Sequence, residues 1–261
     1  MLQFVGGFIV GLLTVAVLLF RNRIAGTKGD ENTHLAQLEE LSKLTGGLAH
    51  EIKNPLSTVK ININLAREEL EDADTNDAVL KRAIRKLAVV QKETDRVEQI
   101  LDSFLRYVDR TELQLASIDI NELVSDMIDF YTPQAHSHSI TIHQGLHNEP
   151  LVCKIDSDML KQVILNLFIN AQQAMSSGGD LMIRTDRQEK DALIQISDTG
   201  AGISPDKLPH IFEAYYSSRP QGSGLGLPTV KKIIEAHKGS ISVNSEQGKG
   251  TSFEIRLSLH P

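Results

Sequence analysis

Residues 158–175 read DMLKQVILNLFINAQQAM. Leu160, Val163, Leu167 and Ala171 recur at spacings of three and four, so they share one face of a helix. Asn166 and Asn170 are four apart and share another face. Asparagine is a modest helix former, and two stacked on an apolar helix imply hydrogen-bonding or metal work. Their carbonyl oxygens suit Mg²⁺, which prefers oxygen ligands and keeps waters beside phosphates. Two satisfied structural asparagines are the alternative. Ser157 is the expected N-cap, and SSGG at 176–179 ends the helix.

Outward from this helix, short β-like runs alternate with helical patterns. ITIHQG (140–145), LVCKI (151–155), DLMIRTD (180–186), ALIQISD (192–198), SISVNS (240–245) and TSFEIRLSL (251–259) read as strands. Residues 121–130, with Asn121 as a plausible cap, and 229–237 read as further helices. Adjacent strands with few crossovers predict a mixed, mostly antiparallel sheet covered by helices. That is an α/β sandwich over 113–261 within an α+β chain.

Two glycine clusters punctuate this domain. DTGAG (198–202) follows a strand, and GSGLGL (222–227) precedes the helix that Pro228 opens. Glycines let backbone approach a ligand closely, and at a helix N-terminus they leave N–H groups for phosphate. No Lys-Ser/Thr follows them, so this is no P-loop. The strand–turn–helix order of a dinucleotide fingerprint is missing too. Cys153, the single cysteine, reads as strand packing and excludes an intrachain disulfide. His136, His138, His143 and His147 cluster, but no acidic or cysteine ligand is interleaved. A polar loop and strand face is the expectation there.

The N-terminal part has a different texture. Residues 1–20 carry no charged side chain, and about 20 such residues span a bilayer as a helix. Arg21, Arg23 and Lys28 follow, which predicts a single-pass anchor in the cytoplasmic membrane with the rest in the cytoplasm. A cleaved signal peptide is the competing reading, disfavoured by the absence of a basic leader and of a small-residue cleavage site. Almost nothing precedes the anchor, so no extracellular sensor domain is expected. Residues 21–33 read as a polar linker.

From His34 an apolar stripe runs through Leu38, Leu41, Leu44, Leu48 and Ile52, and on past Pro55 through Val59, Ile63, Ala66 and Leu70. EDADTND (71–77) breaks it. A second helix carries a heptad seam: Leu80, Leu87, Thr94, Leu101 and Val108, with Ala83, Val90, Val97 and Phe104 three after the first four. Residues 34–112 thus read as an αα-hairpin. One stripe per helix is buried most economically by a second copy, giving a homodimeric four-helix bundle. Packing of the seam on the C-terminal domain is the alternative. The net charge of −7 argues against a nucleic-acid partner.

The order LNLFINA, DTGAGI, IFEAYYSS, GSGLGL, GKGTSFEI resembles the ATP-binding (Bergerat-type) domain of sensor histidine kinases. AHEIKNPL (49–56) resembles their phospho-acceptor box, and the short connection between the last helix-opening motifs is most similar to the nitrogen-regulation type. The resemblance covers about residues 40–258. It implies a membrane-anchored kinase that autophosphorylates His50 from Mg-ATP and passes the phosphate to an aspartate of a response regulator. By the same resemblance Asn166 and Asn170 support Mg²⁺ and the phosphates, Asn170 as the metal-facing residue. Asp198 accepts from the adenine amino group, and Gly200 and Gly202 form the turn beneath the base. Phe212 anchors the lid. Gly222, Gly224, Leu225 and Gly226 form its closing hinge and phosphate-facing backbone. Gly250 and Thr251 border the pocket. Two positions depart from the family. Gln173 stands where many members have a basic residue, and Arg219 in the lid is the candidate replacement. Tyr215 is the second aromatic of the phenylalanine box.

A neutral imidazole attacks phosphorus and an imidazolium does not; an ordinary histidine with a pKa of about 6.5 is mostly neutral at pH 7. Glu51 is expected to accept from His50 Nδ1–H and raise the nucleophilicity of Nε2. Asn54 lies one turn on, where the resemblance implies orientation of the water that dephosphorylates the regulator. Pro55 is expected to bend the helix, since it cannot donate to the Glu51 carbonyl. A catalytically idle nucleotide-binding dimer, serving as scaffold or regulator phosphatase, is the rival from another class.

Overall fold

The computed structural model describes residues 31–71, 77–108, 113–217 and 224–260. The membrane helix expected over 1–20, the turn between the long helices, Arg219 and Gly222 lie outside the described residues. Among the described residues no helix is long and apolar enough to cross a membrane. The chain divides into two compact units, Met1–Gly46 and Gly47–Pro261. Of the first, the structure describes the opening stretch of one helix.

That helix, α1 (Glu31–Glu71), begins before the expected His34 and continues through Pro55, which is buried. Around the proline, the Ser57 hydroxyl donates to the Lys53 carbonyl at 2.8 Å, a back-bond typical of serine inside helices. Helix α2 (Asp77–Val108) follows. Its seam is divided. Ala83 and Phe104 are buried, whereas Leu80 and Leu87 are 46% and 53% exposed. On α1, Ile61, Ile63 and Leu70 are exposed as well. An apolar face of this kind is the feature that marks an interaction surface rather than a monomer's ordinary exterior.

The second half is a five-stranded sheet backed by helices. After the short strand β1 (Ala116–Asp119) come α3 (Ile120–Ser137), β2 (Ile140–Gly145), β3 (Val152–Ile155), α4 (Ser157–Ala174), β4 (Gly179–Gln188), β5 (Asp191–Asp198), α5 (Gly226–Ala236), β6 (Ser240–Glu246) and β7 (Gly250–Ser258). The sheet order is β2-β4-β5-β7-β6. β2 pairs parallel with β4, and every other pair is antiparallel. β1 and β3 form a separate antiparallel pair that was missed as a ribbon in the strand pattern because β1 is half exposed.

One face of the sheet makes the core. Leu181 and Ile183, Ile194 and Ile196, and Phe253 and Ile255 alternate inward and meet Ile164, Leu167 and Phe168 of α4 and Ile233 and Ile234 of α5. The opposite face is polar: Gln195 and Ser197 both hydrogen-bond Ser252. A sheet covered on one side and wet on the other reads as clean alternation, which is why these strands were legible.

The helix starts differ from expectation by one to three residues. Asp119 caps α3, accepting from Asn121 N–H at 3.0 Å, and Asp156 caps α4, accepting from Asp158 and Met159 N–H at 3.1 Å each. Asn121 and Ser157 are therefore not the caps. Asn121 instead ties the loop after β2, donating to the carbonyls of His147 and Glu149. Helix α3 passes Pro133 and ends at Ser137, well beyond Phe130, and α5 starts at Gly226 rather than Thr229.

Candidate functional site

The register of the sheet sets one end of the site. Asp198 closes β5 and lies opposite Thr251, the second residue of β7. Both side chains are buried. Buried polar groups at the end of an otherwise apolar layer need partners, and each has one. Asp198 Oδ1 accepts from Gly200 N–H at 2.8 Å. Thr251 Oγ1 shares a 2.9 Å hydrogen bond with Ser245 Oγ, which also donates to the Gly250 carbonyl and accepts from Ile203 N–H at 2.8 Å. Ser245 thus joins β6, β7 and the glycine turn. It was not singled out in the sequence because a serine on an alternating strand carries no pattern.

Two glycines are required by space. Gly202 has φ 66°, and a Cβ there would run into the Glu246 carbonyl. Gly250 has φ 116°, and a Cβ there would run into the Asp198 carbonyl. Both let the turn and β7 close on Asp198.

A cavity of about 680 Å³ opens in front of this end. Asn166, Asn170 and Gln173 line it from α4, with Asp198, Gly202 and Thr251 at the sheet end. Gly224, Leu225 and Gly226 line it from the start of α5. The asparagines, the aspartate turn and the second glycine cluster, far apart in sequence, therefore converge. Gly200 and Phe212 do not line it. Gly200 sits behind, where a Cβ would press on Ala174 at 2.7 Å, and Phe212 packs against the core with Lys231 Nζ 5.8 Å above its ring.

Tyr215 N–H donates to the Gly224 carbonyl at 3.1 Å. Gly224 has φ 62°, and a Cβ there would stand 2.5 Å from the Tyr215 carbonyl carbon. Leu225, almost fully buried, holds the following helix down.

Tyr215 reaches the hairpin. Its own φ is 63°, an uncommon conformation for a bulky residue, and its ring fills the space where a Cβ of Gly47 would be. Its hydroxyl is buried without a hydrogen-bond partner. Burial raises its pKa, and the nearby charges at Glu51 and Tyr107 add to the rise. Gly47 thus has a tertiary reason to be glycine.

Glu51 stands in the same cluster. Burial raises its carboxyl from an ordinary 4.5 to about 7, with the Arg96 guanidinium opposing the rise. His50 is the preceding residue of α1, and Asn54, one turn on, is exposed and does not line the cavity. Further along α2, Lys232 Nζ of α5 donates to the Tyr107 carbonyl and lies 5.3 Å over the Tyr107 ring.

The residues on α4 fit a hard cation. Asn166 and Asn170, one turn apart on α4, both line the cavity with neutral amides, and no thiolate or imidazole is among the described residues that line it. The four clustered histidines make no such set: His143 pairs with Asp180 at 2.7 Å, and no group of three metal-ligating side chains occurs among the described residues.

Residues 155–261 match the family model described as histidine kinase-, DNA gyrase B- and HSP90-like ATPase. Residues 40–113 match the His Kinase A (phospho-acceptor) domain. The sensor histidine kinase ZraS of Escherichia coli (strain K12) is 33% identical over 231 residues, covering 88% of this chain and 48% of that protein. Sporulation kinase E of Bacillus subtilis (strain 168) is 33% identical over 223 residues, covering 84% of this chain and 29% of that protein. The chain spans about half the length of the ZraS relatives it matches. Among solved structures, histidine kinase ThkA in complex with the response regulator protein TrrA superimposes with a TM-score of 0.71 at 25% identity, covering 88% of this chain and 65% of that one. Full-length ShkA in complex with AMPPNP gives 0.59 at 25% identity, covering 84% and 46%.

Proposed function

The chain belongs to the histidine kinases, and on that premise we propose that it autophosphorylates His50 from Mg-ATP and hands the phosphate to an aspartate of a response regulator. The observation that carries this reading is the convergence of Asn166, Asn170, Asp198, Thr251 and the Gly224–Gly226 backbone on one cavity, in a chain whose α1 holds His50 beside a half-buried Glu51. Asp198 at the closed end recognises the adenine amino group, with Gly202 and Thr251 around the base. The N–H groups at the start of α5 face the phosphates, as free helix N-termini do. Asn166 and Asn170 hold Mg²⁺, which when bound neutralises charge on the phosphates.

The chemistry then needs a neutral imidazole. Ionised Glu51 accepts the Nδ1 proton of His50 and leaves Nε2 to attack the γ-phosphorus. The P–Nε2 bond forms, the bond to the bridging oxygen breaks, and ADP leaves. In the second reaction the P–Nε2 bond breaks as a carboxylate of the regulator takes the phosphoryl group. The uncharged stretch 1–20 with its basic flank supports a membrane anchor. The exposed leucines and isoleucines of the hairpin support a homodimer. Exposed Asn54 supports a regulator phosphatase activity by the same face of α1.

The test is labelling of the full chain with γ-labelled ATP. Wild type takes up acid-labile, base-stable phosphate, and His50→Gln binds ATP but takes up none. Label that persists in His50→Gln, or that survives acid, overturns the assignment. A chain that binds ATP through Asp198 but never labels at His50 would instead favour the idle scaffold.

A further inference from the structure

The nucleotide cavity is not built by the C-terminal domain alone. Helix α2 of the hairpin forms part of its wall through Arg96, Gln99, Ile100 and Ser103. This bears on a gap in the site. Within the cavity, α4 presents Asn166, Asn170 and Gln173, all neutral. A triphosphate carries several negative charges, and phosphate sites are ordinarily completed by a guanidinium or ammonium.

Among the described residues lining the cavity, the cations are Arg96 and Lys207. Lys207 lies in the turn after Gly202, its N–H donating to the Ser204 carbonyl, so it belongs to the Asp198 end. Arg96 belongs to the other end. It faces Glu51, Glu51 faces Tyr215, and Tyr215 is bonded to Gly224 at the phosphate-facing backbone. Glu51 is also the neighbour of His50 in sequence. A γ-phosphate delivered to His50 must therefore lie at the Arg96 end of the cavity.

The Arg96 side chain is one-third exposed, and Glu93, one turn back on α2, stands at 3.9 Å, the outer limit of an ion pair. The other facing carboxyl, Glu51, is half buried.

We propose that Arg96 of α2 binds the terminal phosphates of the nucleoside triphosphate, supplying from the hairpin the cation that α4 lacks at Gln173. The nucleotide site is then complete only when the C-terminal domain rests on the hairpin, and triphosphate binding favours that docked arrangement. The inference rests on the ATP reading above.

The experiment compares ATP with AMP on the full chain, in wild type, Arg96→Ala and Arg96→Lys, by direct binding. Loss of one charge-assisted contact is expected to weaken ATP by about 10-fold or more in Arg96→Ala. AMP affinity stays within about twofold, since the base pocket is untouched; intact AMP binding also reports an intact fold. Arg96→Lys keeps part of the ATP affinity, as a point charge without the planar fork. Equal ATP affinity in Arg96→Ala and wild type overturns the proposal, as does equal weakening of ATP and AMP. The kinase reading fails separately: wild type would then bind no ATP at all, or bind it unchanged in Asp198→Asn, and the Arg96 proposal would fall with it.

Discussion

Replacing Glu51 with glutamine should change the shape of the pH–rate profile, and the change can be worked out. Glu51 titrates at about 7 because burial disfavours its charged form. His50 must be neutral to attack, and an ordinary imidazole titrates at about 6.5. In wild type both groups must lose a proton, so the reactive fraction is the product of two titrations. At pH 5.5 about 3% of Glu51 and about 9% of the histidine are in the reactive form, against nearly all of both at pH 8. The initial rate of acid-labile labelling should therefore rise about 300-fold between these values, and below pH 6 its logarithm should climb with a slope near two. Glu51→Gln removes one titration. Its rate is lower at pH 8, but it rises only about tenfold over the same range, with a slope near one. The apparent values belong to the coupled pair, so slope is the better readout than midpoint.

Stability should move the other way. Below pH 4.5 Glu51 is neutral in folded and unfolded chains alike. As pH rises from 4.5 to about 7 the unfolded chain ionises first, so the folded state loses stability across that window. Glu51→Gln should flatten that decline. The assay is initial-rate phosphorylation of the full chain at saturating Mg-ATP, beside thermal unfolding at the same pH values. Wild type and Glu51→Gln profiles that superimpose after scaling would refute the reasoning.

Other expectations follow from single contacts. Gly224→Ala places a Cβ against the Tyr215 backbone at a residue with φ 62°, so the lid base should spring and ATP binding fall by at least tenfold; calorimetric titration that finds wild-type affinity would contradict this. Tyr215→Phe removes a buried hydroxyl that has no partner, so the melting temperature should hold or rise by a few degrees, and a clear drop would mean the hydroxyl is bonded. Leu87→Asp puts a charge on an exposed apolar position of the hairpin, so sedimentation should show a dimer in wild type and a monomer in the variant; a wild-type monomer would remove the bundle altogether.

What the sequence disclosed, and what it hid, divides along one physical line. The strands from β4 to β7 and the helix α4 were readable because one buried face imposes a period on the residues that carry it. The ends of elements were less so. Asp119 and Asp156 outrank Asn121 and Ser157 as caps because each carboxylate also accepts from a distant chain segment, Leu151 N–H and Gln114 N–H at 3.0 and 2.8 Å. A cap chosen by a tertiary bond leaves no local trace. Helix α1 likewise runs through Pro55, where local propensity alone would end it, because packing holds the proline buried.

The site shows the same division. Asn170, Asp198 and the Gly202 and Gly224–Gly226 positions that meet at one cavity were legible because close backbone approach and helix-borne amides demand particular residues at particular spacings. The cluster of Gly47, Glu51, Arg96 and Tyr215 did not, since its members come from three elements and none needs an unusual neighbour in sequence. Yet this cluster decides what Glu51 can do. Read along α1, Glu51 is a carboxylate next to a histidine. Placed near Tyr215, it loses solvent and titrates near 7, so its ionisation depends on the contacts around it. If Tyr215 lifts with the lid, water returns to Glu51 and its carboxyl falls back toward 4.5, so full ionisation comes when the docked contact opens. The ionisation of Glu51 is therefore coupled to its contact with Tyr215. That coupling predicts that Tyr215→Ala, which exposes Glu51 without touching it, lowers the pH at which labelling reaches half its maximum. A profile unchanged from wild type would place the control elsewhere.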